Sequence, residues 1–173
     1  IYAKDVVDFS KAMKAVDSSI AIIPNGSSVE FFSEVIRTAG DYIDYLCLSN
    51  YPVYNYYGGY ASYRDTAQNL MGPVNRAMTA INQSATEDQK RKLRLIVSEY
   101  GLFDWGEKWP HINDMGHNLA NFEMTGLQLC EPMISFSCFW NTRWIDNDSI
   151  ENSVFDAIDK DNQMNANGLG IMI

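Results

Sequence analysis

The stretch Leu93-Arg94-Leu95-Ile96-Val97-Ser98-Glu99-Tyr100-Gly101 sets an acid directly after a short apolar run. The run is too brief for a helix and stops at a polar step, so it reads as a buried strand opening into a loop. Working outward, the same signature recurs. Ile20-Ala21-Ile22-Ile23 precedes Pro24-Asn25-Gly26, Ile43 to Leu48 precedes Asn50-Tyr51, and Met133 to Trp140 precedes Asn141.

Between these runs the apolar period lengthens to that of a helix. Val6, Phe9, Met13 and Val16 form a stripe over residues 2–16, and Phe32, Val35 and Ile36 form one over residues 29–38. Leu70, Val74, Met78 and Ile81 line residues 63–82, where Gly72-Pro73 predicts a kink. A further helix is expected over residues 112–129, closed by Glu131-Pro132. The tail reads as a short extended piece and a last helix after Asn165-Ala166-Asn167.

Helix and strand alternate with no hairpin signal between strands. That order demands parallel strands joined by helical crossovers, an α/β fold. An open doubly wound sheet and part of an eight-stranded barrel both fit. No Gly-x-Gly-x-x-Gly loop follows any strand, which weakens the dinucleotide-binding version. The polar and aromatic residues after the runs are Asn25, Asn50-Tyr51, Glu99-Tyr100 and Trp140-Asn141. Barrel enzymes build their sites on that face. The expectation is a partial (β/α)8 barrel in one domain over residues 1–173, with no linker inside it.

Composition narrows the function classes. The chain is 46% hydrophobic and 20% charged, as in an ordinary globular domain. Its net charge of −9 repels phosphate backbones and anionic lipid, arguing against nucleic-acid and membrane partners. No apolar run approaches the roughly 18–20 residues that span a bilayer. The chain starts at Ile1 rather than Met and stops inside Leu169-Gly170-Ile171-Met172-Ile173, so both ends are expected to be cut from something longer. Cys47, Cys130 and Cys138 form an odd set without CxxC spacing. Cys47 and Cys138 lie in apolar runs, where a buried thiol is expected.

Glu99 is the leading chemical candidate. Glycoside hydrolysis needs two carboxyl groups: one protonates the leaving oxygen, and the other attacks the anomeric carbon or activates water. An acid pinned at a strand end, near Tyr100 and Trp105, suits the attacking role. The hydroxyl of Tyr51, after Asn50, could hydrogen-bond it. Trp140 offers a flat floor for a sugar ring. Asn141, Arg143 and Trp144 add donors and a second ring, with Arg143 able to hold an anionic substituent or to pair with Asp146. Tyr54, Tyr56, Tyr57, Tyr60, Tyr63 and Trp109 enlarge the aromatic set; rings in polar loops suit stacking as well as local packing. His111 and His117 have no ligand-rich surroundings, and Asp146-Asn147-Asp148 lacks the rest of a calcium loop. No metal or other cofactor is expected.

Several stretches resemble a known family. Leu95 to Gly101 looks like the seventh strand and nucleophile of clan A glycoside hydrolases. Asn113-Asp114-Met115-Gly116-His117, Asn121-Phe122-Glu123-Met124-Thr125-Gly126, Phe139-Trp140-Asn141-Thr142-Arg143-Trp144 and Ser153-Val154-Phe155-Asp156-Ala157 are similar to glycoside hydrolase family 86, which contains β-agarases and β-porphyranases.

The resemblance implies strands five to eight of the barrel, Glu99 as the nucleophile of a retaining mechanism, and Trp140 as the aromatic platform. Asn50, Tyr51, Tyr100, Trp105, Asn141 and Arg143 become the expected substrate contacts. It implies a red-algal galactan as substrate and a secreted or envelope-associated location. One departure is marked. The Asn-Glu pair carrying the acid/base of such enzymes at the fourth strand end does not occur. It is expected before Ile1, making the missing N-terminal half of the barrel the partner of this one. The alternatives are another clan A glycosidase such as an arabinofuranosidase or xylosidase, a non-catalytic carbohydrate-binding barrel, and an open-sheet protein unrelated to sugars.

Overall fold

A computed structural model describes residues 1–55, 58, 60–102, 115–143, 156–159 and 161–172. The chain divides into two compact units. The first comprises Ile1–Ser49, Pro73–Ser98 and Pro132–Ser137, and the second Asn50–Gly72, Glu99–Glu131 and Cys138–Ile173.

Three strands form one parallel sheet, β1 (Tyr45–Asn50), β2 (Arg94–Tyr100) and β3 (Ile134–Phe139), in the order β1-β2-β3. Sequential order is what a barrel wall requires, whereas a doubly wound sheet reverses order at a switch point. The run Ile20–Ile23 is not a regular strand. It is an extended segment whose continuation at Asn25 makes a parallel bridge to Cys47. Cys47 N donates to Pro24 O at 2.9 Å and Gly26 N to Cys47 O at 3.0 Å. Proline supplies no N–H of its own, which limits the pairing.

In the first unit, α1 (Tyr2–Val16) and α2 (Val29–Ala39) pack together. Ser28 caps α2 by accepting from Phe31 N at 3.1 Å, and Phe32, Val35, Ile36 and Ala39 are buried beneath it. The stripe expected on α1 is only partly covered. Ala3, Val6 and Ser10 are buried, while Phe9, Met13 and Val16 are 67%, 49% and 90% exposed. Ser10 Oγ donates to Tyr42 O at 2.8 Å on the buried side. Asp44 ties the entry to β1: its Oδ2 accepts from Lys14 Nζ at 2.8 Å and from Ile22 N at 2.9 Å.

The helix expected over residues 63–82 is broken, not kinked. It is two helices, α3 (Tyr60–Ala67) and α4 (Gly72–Ser84). Pro73 stands in the first turn of α4, where its missing N–H costs no helical bond. A short helix that went unpredicted, α5 (Glu87–Lys92), follows. Thr86 and Gln89 close a capping box over it, Gln89 N donating to Thr86 Oγ1 at 3.2 Å and Thr86 N to Gln89 Oε1 at 3.0 Å.

In the second unit α6 (Met115–Cys130) packs against both α3 and α7 (Ala166–Met172). The expected start of α6 at Ile112 lies outside the described residues. β3 is less buried than its composition predicts. Phe136 is 52% exposed, and Cys138, expected to be buried, is exposed, as is Cys130; only Cys47 is buried. β1, the other outer strand of the described sheet, is mostly buried, so strand order alone does not set this exposure. No helix among the described residues is long and apolar enough to cross a membrane.

Candidate active site

The ends of the three strands meet in the second unit through backbone hydrogen bonds. Gly101 N donates to Asn50 O at 3.3 Å, and Trp140 N donates to Tyr100 O at 2.8 Å. Gly101 permits this approach. A Cβ there would lie 3.0 Å from Trp140 O and 3.7 Å from the Tyr51 ring, so any larger residue would press the two strand ends apart.

On this frame three side chains come together. Tyr51 Oη donates to Glu99 Oε2 at 2.8 Å. The Tyr51 ring meets Trp140 edge-on, with centroids 6.4 Å apart and planes at 89°. Glu99 itself is exposed, so its carboxylate is open to an incoming ligand. Burial, reinforced by the hydrogen bond and negative charge of Glu99, pushes the Tyr51 phenol well above the usual tyrosine range. Tyr51 therefore stays a protonated donor. Trp140 is half-buried and joined to Asn141 by a cis peptide bond.

The remaining expected contacts distribute differently. Tyr100 is only 3% exposed. Its hydroxyl shares a 3.0 Å hydrogen bond with Thr125 of α6, and its ring packs on Phe139 at 5.5 Å. Successive strand residues point to opposite faces, so Glu99 and Tyr100 cannot serve the same ligand. Tyr100 is a packing residue, contrary to expectation. Asn50 is likewise fully buried, its amide donating to Leu70 O at 3.0 Å while its Oδ1 has no hydrogen-bond partner among the described residues. Asn141 is half-buried; its carbonyl accepts from Ala157 N at 3.0 Å, and its Oδ1 has no hydrogen-bond partner among the described residues. Arg143 is exposed and donates from Nη1 to Asn162 Oδ1 at 2.7 Å. Its other expected partner, Asp146, lies outside the described residues, as do Tyr56, Tyr57, Trp105, Trp109, His111 and Trp144.

His117 is a core residue of the second unit, 1% exposed. Its Nε2 lies 3.3 Å from Leu102 O, and its ring stands against Tyr54 at 5.4 Å. Among the described residues no three His, Cys, Asp or Glu side chains gather to hold a metal ion. Two contacts had no signal in the sequence, since each joins separate elements. One is the Thr125 hydroxyl on Tyr100; the other is the 3.0 Å bond from Tyr63 Oη to Glu123 Oε2.

No family model and no curated protein matches the chain. Solved structures do. The α-L-arabinofuranosidase of Thermotoga maritima, in complex with arabinose, matches with a TM-score of 0.67 at 18% identity, over 92% of this chain and 31% of that one. The GH51 α-L-arabinofuranosidase of Thermotoga petrophila gives 0.67 at 18% over 94% and 32%. A GH128 exo-β-1,3-glucanase of Cryptococcus neoformans gives 0.56 at 13% over 98% and 60%. At such identities the likeness is one of fold. The chain spans about a third of the length of the arabinofuranosidases it matches. Its fold is that of a portion of the clan A barrels these glycoside hydrolases carry. The shared fold does not single out family 86.

Proposed function

We propose that the chain is part of a retaining glycoside hydrolase of clan A type in which Glu99 is the nucleophile. The carrying observation is the 2.8 Å hydrogen bond from Tyr51 Oη to an exposed Glu99 carboxylate at a strand end, with the Trp140 ring alongside. Tyr51 occupies Oε2 and leaves Oε1 to attack. The attack forms a glycosyl ester at the anomeric carbon as the leaving oxygen takes a proton from a second carboxylic acid. Water, deprotonated by that same group, then releases the sugar. Retention requires the two carboxyls to stand about 5–5.5 Å apart, and the second is assigned to the strand end preceding α1. Trp140 supplies the apolar face for the reacting ring.

For the substrate, the matched arabinofuranosidases and glucanase favour a clan A glycosidase other than a galactanase. The second reading, a β-linked galactan of red algae, rests on the segments from Asn113 to Ala157 that resemble family 86. A panel of aryl α-L-arabinofuranoside, β-1,3-glucan, agarose and porphyran separates the two. For the chemistry, Glu99→Gln in the intact protein should lower kcat on whichever substrate is cleaved by about 10³-fold or more while leaving binding intact. Activity retained within tenfold of the parent would remove Glu99 from the mechanism.

A further inference from the structure

A cavity of about 390 Å³ lies in the second unit between the segment after β1 and one side of α3. Its lining includes the apolar side chains of Pro52, Val53 and Ala61 and the polar ones of Ser62, Asp65 and Asn69. Its size falls within the range of small-molecule sites, roughly 300–1,000 Å³. Ser62, Asp65 and Asn69 recur three and four residues apart, so they line up on one side of the helix and its C-terminal turn. Each has unused hydrogen-bonding capacity. The Ser62 hydroxyl, Asp65 Oδ2 and the Asn69 side-chain amide make no hydrogen bond among the described residues, while Thr66 Oγ1 is committed to Val53 O at 3.1 Å. Gly58 roofs the serine: a Cβ there would lie 2.0 Å from Ser62 Oγ.

The lining joins a hydroxyl, a carboxylate oxygen and an amide, which together donate and accept, to apolar side chains. A ring bearing several hydroxyl groups on one side and C–H bonds on the other matches both. The charge excludes an anionic version. Asp65 Oδ1 meets only the exposed Arg64, at 3.3 Å, and the chain as a whole carries −9. We infer that this cavity, whose lining does not include Glu99, is a subsite for one uncharged sugar unit of a longer glycan. The inference rests on the glycoside hydrolase reading for its polymer and on the cavity alone for its binding.

The test is calorimetric titration of the intact protein with uncharged laminarihexaose and neoagarohexaose, and with a sulfated porphyran oligosaccharide. Ala61→Trp fills the cavity from an exposed helical position. It should weaken at least one uncharged hexasaccharide by about tenfold, the loss of roughly one well-packed contact set. Asp65→Asn, nearly isosteric, should weaken it less and admit the sulfated sugar better. Hydrolysis of a monosaccharide aryl glycoside should be unchanged in both. Failure of the Glu99 assignment would abolish nothing here, because binding is read without turnover. The subsite is overturned if neither uncharged hexasaccharide binds the parent, if both variants bind as the parent does with unaltered melting, or if the sulfated sugar binds the parent as tightly as the uncharged ones.

Discussion

Whereas the interior of the first unit is filled by Ile36, Leu46, Leu48, Leu95 and Val97, none more than 1% exposed, that of the second mixes Tyr54, Leu102 and Met124 with buried Asn50, His117, Asn121, Gln128 and Asn167. The polar groups buried in the first unit include Ser10, bonded to Tyr42 O, and Gln89, which caps α5 and donates to Asp41 Oδ1 at 2.9 Å. In the second, Asn50 Oδ1, Asn121 Oδ1 and both polar atoms of Gln128 have no partner among the described residues. A buried amide without partners destabilises by about 1–3 kcal/mol. The first unit leaves one unpartnered buried atom, Ser84 Oγ, among its described residues, whereas the second gathers several around the elements that carry the candidate site. Sequences commonly give up stability at such places.

Substitutions can break or sharpen that contrast. Leu95→Ala, in the fully buried centre of β2, should lower stability by about 2–5 kcal/mol, read by guanidinium denaturation; a change below about 1 kcal/mol would show that the first interior is not close-packed. Gln128→Leu should act in the opposite direction. Removing two unpaired polar atoms from a side chain 2% exposed should raise stability by about 1 kcal/mol, and a fall instead would reveal a polar partner at that position.

The smallest effect is expected from Asp44, whose pKa is lowered. Burial opposes its charge, but the Lys14 ammonium and the Ile22 N–H outweigh burial. A depressed carboxylate contributes stability above its unfolded value of about 3.9 and loses it as pH falls through the folded one. The pair is 33% and 37% exposed, so screening holds the contribution below about 1 kcal/mol. Asp44→Asn should flatten the acid limb of the denaturation midpoint measured from pH 5 to pH 3, leaving the midpoint at pH 7 lower than the parent's.

The order of elements was legible because short apolar runs and helical stripes are different periods of the same signal, and both survive in Leu93 to Val97 and in Phe32, Val35 and Ile36. The meeting of Tyr51 with Glu99 was legible because each closes an apolar run, which brings both to one end of the sheet. Two misreadings had signals that went unused. Strand alternation sends Tyr100 away from Glu99, and Thr86-x-x-Gln89 announces the start of α5. Others had none. The exposure of Phe9 and Met13 depends on what packs beside α1, and that of Cys138 on what lies beside β3. Neither is local, so neither is written in the period of the chain.

Tyr51 carries a final consequence. Because burial and the neighbouring carboxylate lift its ionisation beyond the ordinary tyrosine range, its proton stays in place at any alkalinity an assay would normally use. An alkaline decline in a rate-versus-pH curve then reports a group other than Tyr51.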